Sequence, residues 1–316
     1  MTEYIIRRLL SAIPSLVLVS IIIFSLVRLV PGDVVMARLA EGGYADEEQL
    51  AAMRADLGID RPFVTQYIDW ASKAIRGDFG ESLWDSKPVL PTIAQRMRVS
   101  IQIAIMAIVI SIGIAIPMGV ISAVKQDTVP DYAARLFAII GLSMPDFWLA
   151  TMLLLALTLW IGWLPEFGYF PLWEDPSRNL QALIFPALIV GYRLSATASR
   201  MTRSSMLEVL REDYVRTARS KGLQERTIIV RHALKNALIP VITIFGGLLS
   251  FMLGGLVVIE TIFALPGMGR LALNAVLLRD YPVLQGTVMV MAVIFVTANL
   301  IVDLSYAVID PRIRYQ

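Results

Sequence analysis

Few residues of this chain could do chemistry, and those that could are acids and bases set among apolar runs. Asp146 follows Pro145 inside one apolar stretch, and Asp303 lies inside another. An ionisable group in such a place faces water, pairs with another group or carries a proton. Both are therefore candidates for a solute path. Two other readings stay open: Asp146 could cap the second half of a helix broken at S-M-P, and Asp303, one turn after Asn299, could bond a neighbouring helix. The single histidine, His232, cannot build a multi-histidine metal site, and it reads as an interface residue rather than a proton carrier. The absence of cysteine excludes disulfides, thiolate ligands and cysteine nucleophiles. No G-x-x-x-x-G-K followed by Ser or Thr occurs, so the chain lacks the loop that cradles nucleotide phosphates. Recognition and movement are expected here, without catalysis.

The elements that must position these residues are membrane spans. The chain has 316 residues, 57% hydrophobic and only 17% charged, and its mean hydropathy is +0.67. A soluble domain is about 45–50% apolar. Six stretches approach the ~20 apolar residues that a bilayer requires: 9–30, 99–124, 136–164, 180–198, 237–259 and 283–309. Arg7 and Arg8 resemble the start of a signal peptide, but the run after them is too long and reads as an uncleaved span. The loop at 198–236 holds nine Lys or Arg residues against four acids. Basic loops resist translocation, so it is expected in the cytosol, with both termini on the same side. The expected organisation is the N-terminus and first span at 1–30, an extracytoplasmic helical insertion at 31–97, and a five-helix core at 98–316. Arg193 is expected near enough to one end of its span to snorkel. Gly246, Ser250 and Gly254 share a face on the fifth span and suit close helix packing, on a second subunit or within this one. The segment 260–282 is too polar to span and is expected to fold back as a short helical loop near the outer mouth.

The charged segment 208–240 is the longest polar interruption of the core. Leu207, Leu210, Tyr214 and Ala218 recur at helical spacing and predict one apolar face. Gly222 suits the left-handed position after a helix, with Leu223 packing back on Ala218. A second helix is expected from 225 to about 237. The product is a projecting helix, glycine turn and helix, which suits either a bed of anionic lipid or the cleft of a cytosolic partner.

The residues Asp213–Leu223, D-Y-V-R-T-A-R-S-K-G-L, and the R-H-A-L-K-N-A-L-I-P that follows resemble the EAA loop of ATP-binding-cassette importer permeases. The nearest branch is that of oligopeptide, dipeptide and nickel systems, in its first permease. Supporting motifs are P-G-D at 31–33, L-G-I-D-R-P at 57–62, Q-Y at 66–67, G-D-F-G-E-S at 77–82, S-M-P-D-F-W-L-A at 143–150, E-T-I-F-A-L-P-G-M-G-R-L at 260–271, R-D-Y-P at 279–282 and D-P-R-I-R at 310–314. Of the general EAA letters only Ala218, Gly222 and Leu234 are kept; the peptide branch resembles this sequence instead. The resemblance implies an all-α polytopic protein of six transmembrane helices in the type I ABC importer permease fold. It implies a bacterial inner-membrane location, a second homologous permease, two ABC ATPase subunits that bind ATP and Mg, an extracytoplasmic solute-binding protein, no cofactor on this chain and no nucleic acid. The implied docking residues are Glu212, Asp213, Tyr214, Ala218, Arg219, Gly222 and Leu223. The implied cargo is a peptide, with nickel chelates, glutathione or another small solute as alternatives; a proton-coupled secondary carrier is the competing class.

Overall fold

The structure, a computed structural model, describes residues 2–29 and 61–309. In chain order the helices are α1 (Thr2–Leu29), α2 (Phe63–Ala74), α3 (Val89–Val124), α4 (Val129–Ser143), α5 (Asp146–Ala156), α6 (Pro176–Val209), α7 (Asp213–Ser220), α8 (Glu225–Thr227), α9 (Leu234–Gly255), α10 (Val257–Ile262), α11 (Met268–Leu277) and α12 (Tyr281–Ile309). Two π-helical segments extend them, Leu157–Ile161 after α5 and Ile228–Ala233 between α8 and α9. The motifs at 31–33 and 310–314 and most of 57–62 lie outside the described residues.

Among the described residues, four stretches are long and apolar enough to cross a membrane: Val89–Val124, Pro176–Val209, Glu225–Leu248 and Tyr281–Val302. Helix α4 with α5 and its π turn, bent by 103°, passes the same test as a pair and makes a fifth if the two form one broken span rather than a re-entrant loop. The first expected span falls on α1, where Leu10–Leu26 is a shorter apolar helix. The break that S-M-P offered is present. The third span is a broken helix, because Met144 and Pro145 are extended, with ψ of 127° and 143°. Proline disfavours the helical conformation in the residue before it, which ends α4 there.

The chain divides into two compact units. The first comprises residues 1–100 and 266–297. Here α2 lies on α1 through a cluster of rings: Phe24 meets Phe63 and Tyr67 edge-on, each at 5.3 Å. Arg28 caps the cluster, stacking 3.5 Å from the Phe24 ring centroid and donating from Nη2 to Gln66 Oε1 at 2.7 Å. The Q-Y motif is thus the α2 side of this contact. Two other motifs meet in the same unit. Ser82 Oγ donates to Asp280 Oδ2 at 2.5 Å, and Trp84 Nε1 donates to the Leu278 carbonyl at 2.7 Å. G-D-F-G-E-S and R-D-Y-P therefore form one joint, above a core of Val89, Ile93, Met268, Ala275 and Val283.

The second unit, 101–265 and 298–316, centres on α6. Helices α4, α5 and α9 pack on it. Small residues set the approaches. A Cβ on Gly119 of α3 would lie 2.5 Å from Thr202 Cβ and 2.8 Å from the Ser199 carbonyl oxygen of α6. A Cβ on Gly246 would collide with Val302 of α12, so this part of the expected small-residue face packs within the chain. The segment 260–282, expected to fold back, carries the end of α10, all of α11 and the start of α12. Overpacking a tight crossing costs about 1–3 kcal/mol. Gly119→Leu is expected to lower the detergent-phase unfolding midpoint clearly. Gly113→Leu, on the same helix with nothing within 4 Å of an added Cβ, is expected to leave it unchanged.

Candidate functional site

The basic segment after α6 folds as a hairpin. The single helix expected over 207–218 is interrupted: Leu207 ends inside α6, Leu210 is its C-cap, and α7 begins at Asp213 after Glu212 as N-cap. The apolar spacing continues across the break, but it serves two helices. Leu207 and Leu210 pack beside buried Met206, Ala233, Ala237 and Ala123. On α7 the buried residues are Val215 and Ala218, set on Ile228 and Leu210. Ala218 therefore faces inward and seats the helix, whereas Tyr214, expected on the same face, is exposed. Its Oη donates to the His232 carbonyl at 3.3 Å and accepts from Asn236 Nδ2 at 2.8 Å, which ties α7 to the returning strand of the hairpin.

Gly222 makes the turn. Its φ of +73° is left-handed, a region that costs other residues about 1 kcal/mol or more. The Leu223 amide donates to the Ala218 carbonyl at 3.4 Å and the Gly222 amide to the Arg219 carbonyl at 2.9 Å. These are the two bonds of a Schellman motif, as the sequence anticipates. Arg219 then bridges the turn to Glu225, with Nη2 to Oε1 at 2.7 Å and Nε to Oε2 at 3.2 Å. Glu212 and Asp213 are exposed, and Asp213 reaches Arg216 at 3.4 Å. The outward surface is thus Glu212, Asp213, Arg216, Arg219, Lys221 and Leu223. Alongside it runs a groove of about 560 Å³ lined by Arg203, Leu207, Glu208, Arg211, Glu212 and Asp213.

On α6, ahead of this hairpin, lies a cluster that the sequence reading missed. Asp131, in the first turn of α4, is fully buried. Its carboxylate accepts from Arg203 Nε at 2.9 Å and Nη2 at 3.1 Å, from Arg135 Nε at 3.0 Å and also Nη2, from Ser122 Oγ at 2.5 Å and from the Asp127 amide at 3.0 Å. One carboxylate joins α3, α4 and α6. The i, i+4 spacing of Asp131 and Arg135 was the available signal; the partner 72 residues away was not.

The intramembrane acids fare differently. Asp146 is the first residue of α5, and Pro145 is the N-cap without a side-chain bond. Asp146 instead takes Arg193 Nη1 on Oδ2 at 2.7 Å. Arg193 sits near the middle of the 34-residue α6, and its guanidinium is engaged by this ion pair. The side chain of Asp303, on α12, lies outside the described residues.

Comparison with known proteins agrees with this architecture. Residues 115–315 match the family of binding-protein-dependent transport system inner membrane components, and residues 1–104 match the N-terminal family of such membrane components. A protein of Brucella abortus, named as a peptide transport system permease, is 42% identical over 315 residues and covers 100% of both chains. The glutathione transport system permease GsiC of Escherichia coli is 39% identical over 316 residues, again covering 100% of both. A crystal structure of an amino acid ABC transporter with histidines has the same fold at 16% identity. Its TM-score is 0.50, over 68% of this chain and 92% of that one.

Removing one member of a buried ionic cluster leaves its partners uncompensated and costs about 3–5 kcal/mol. Asp131→Asn is expected to reduce accumulation and thermal stability strongly. Arg135→Met is expected to do less, because Arg135 is part-exposed and Arg203 still holds the carboxylate. Unfolding midpoints of the two variants in one detergent check the order.

Proposed function

The chain belongs to the inner-membrane permeases of binding-protein-dependent ABC import systems, and we propose that it is the first permease of an importer of peptides. The observation that carries the coupling role is the hairpin: a short helix seated by Val215 and Ala218, turned at Gly222 and closed by Arg219–Glu225. A flexible loop would absorb a push; a seated helix transmits it. In this reading two separate ATPases bind the ATP and Mg, one of them receives Glu212, Asp213 and Leu223 in its cleft, and this chain binds neither nucleotide nor metal. A second homologous permease completes the path, a solute-binding protein delivers the cargo, and both termini and the hairpin face the cytosol. ATP-driven closure favours one arrangement of the spans only through contacts that differ between states.

The names of the relatives support peptide cargo, and glutathione is itself a tripeptide. Dipeptides, longer peptides and nickel chelates remain candidates within the same machinery. The competing proton-coupled carrier would use Asp146 or Asp303 as its proton site; the first of these carboxylates is engaged by a guanidinium.

Pull-down of the tagged chain in mild detergent tests the reading. Recovery of two P-loop ATPases and a second permease is the expected result. Recovery of the chain alone after crosslinking, together with uptake abolished by a protonophore at constant ATP, would sink it. Within the assembled complex, Leu223→Asp is expected to cut uptake about tenfold or more while leaving the subunit folded. Ala218→Arg is expected to lose the folded hairpin itself, because Ala218 is buried. Uptake per ATP hydrolysed, with limited proteolysis of the loop, separates the two effects.

A further inference from the structure

Beside the Asp146–Arg193 pair, at the break between α4 and α5, lies a cavity of about 610 Å³. Cavities of this size hold small ligands. Apart from the two charged groups its wall is largely apolar, with Met144, Val190, Leu248 and Met252 among the lining residues. The pair differs from the Asp131 cluster in two respects. Asp131 is wholly buried, whereas Arg193 keeps 51% of its side chain exposed and Asp146 26%. Asp131 has both oxygens engaged, whereas only Oδ2 of Asp146 is; its Oδ1 is buried with no partner. The first arrangement is a closed structural tie. The second is half-made and borders open space.

Resting on the peptide reading above, we infer that this pair is a transit station for solutes bearing both an ammonium and a carboxylate. Asp146 takes the ammonium and Arg193 the carboxylate, each released from the other as the solute arrives. The exchange turns one ion pair into two and leaves no net charge in the span at any stage, which is the condition for tolerating charge there. Because the solute must first open an existing pair, it is held weakly and can leave. The apolar wall makes no polar demand on what stands between the two ends. The station therefore selects the termini of a short peptide and is indifferent to its side chains.

The chain contains no cysteine, so Thr197→Cys places its only thiol on the cavity wall. In the assembled transporter, the rate at which a charged methanethiosulfonate modifies this thiol is read from the mass of this chain. The probes are unblocked alanine peptides of roughly two to four residues and the same peptides N-acetylated and amidated. Unblocked peptides are expected to slow modification several-fold and capped ones to leave it unchanged. The protection is expected to vanish in Asp146→Asn/Arg193→Gln and to persist in Arg193→Lys, which keeps the cation. Equal protection by both peptide series, or protection that survives the double neutral variant, overturns the station. If the parent transporter takes up the free peptides while the thiol is never protected, the station fails and the peptide reading stands. If no peptide is taken up, both fall together.

Discussion

The basic end of this protein hangs on one carboxylate. Asp131 receives two guanidinium forks, a hydroxyl and an amide, and so locks the ends of α3 and α6 to the start of α4. A fully buried acid would be a large cost if any of these donors were missing. With all of them present it is a directional joint that apolar packing alone would not supply. Just beyond it on α6, Met206, Leu207 and Leu210 pack against the helix that returns from the turn. The hairpin is therefore not a free loop between spans. It is a short cantilever whose root is ionic and whose shaft is apolar.

Such a root has a mechanical meaning. An element that relays force must deform less than what it moves. The residues of α7 that could have been spent on contact, Val215 and Ala218, are spent on seating. The outward side is left to charged groups and Leu223. Of the EAA letters kept here, Ala218 and Gly222 are required by the hairpin's own geometry, one by burial and one by a left-handed φ.

Much of this was legible in the sequence. All six apolar stretches fall on helices, because spanning lipid leaves few alternatives to a run of apolar residues. Gly222 and Leu223 were legible because a Schellman turn is local. Three features were not. The break before Asp213 is hidden, since the spacing from Leu207 to Ala218 suits one helix as well as two. The Arg193–Asp146 pair joins residues 47 apart in sequence, which no local pattern reports. The Asp131 cluster needs Arg203, far along the chain, and no periodicity reports a long-range ion pair.

The π-helical stretch Ile228–Ala233 joins the hairpin to the fifth span. A π turn carries one surplus residue relative to an α-helix, with bonds one position longer. Inside a continuous helix that surplus cannot be annealed away; it can only pass to the next position, exchanging one long bond for one short one. Each such step turns only the residue that the surplus passes, by about 100°, the turn per residue of an α-helix, and leaves the two flanking helices in their original register. The face presented along Ile228–Ala233 can therefore change one residue at a time without either neighbouring helix unwinding.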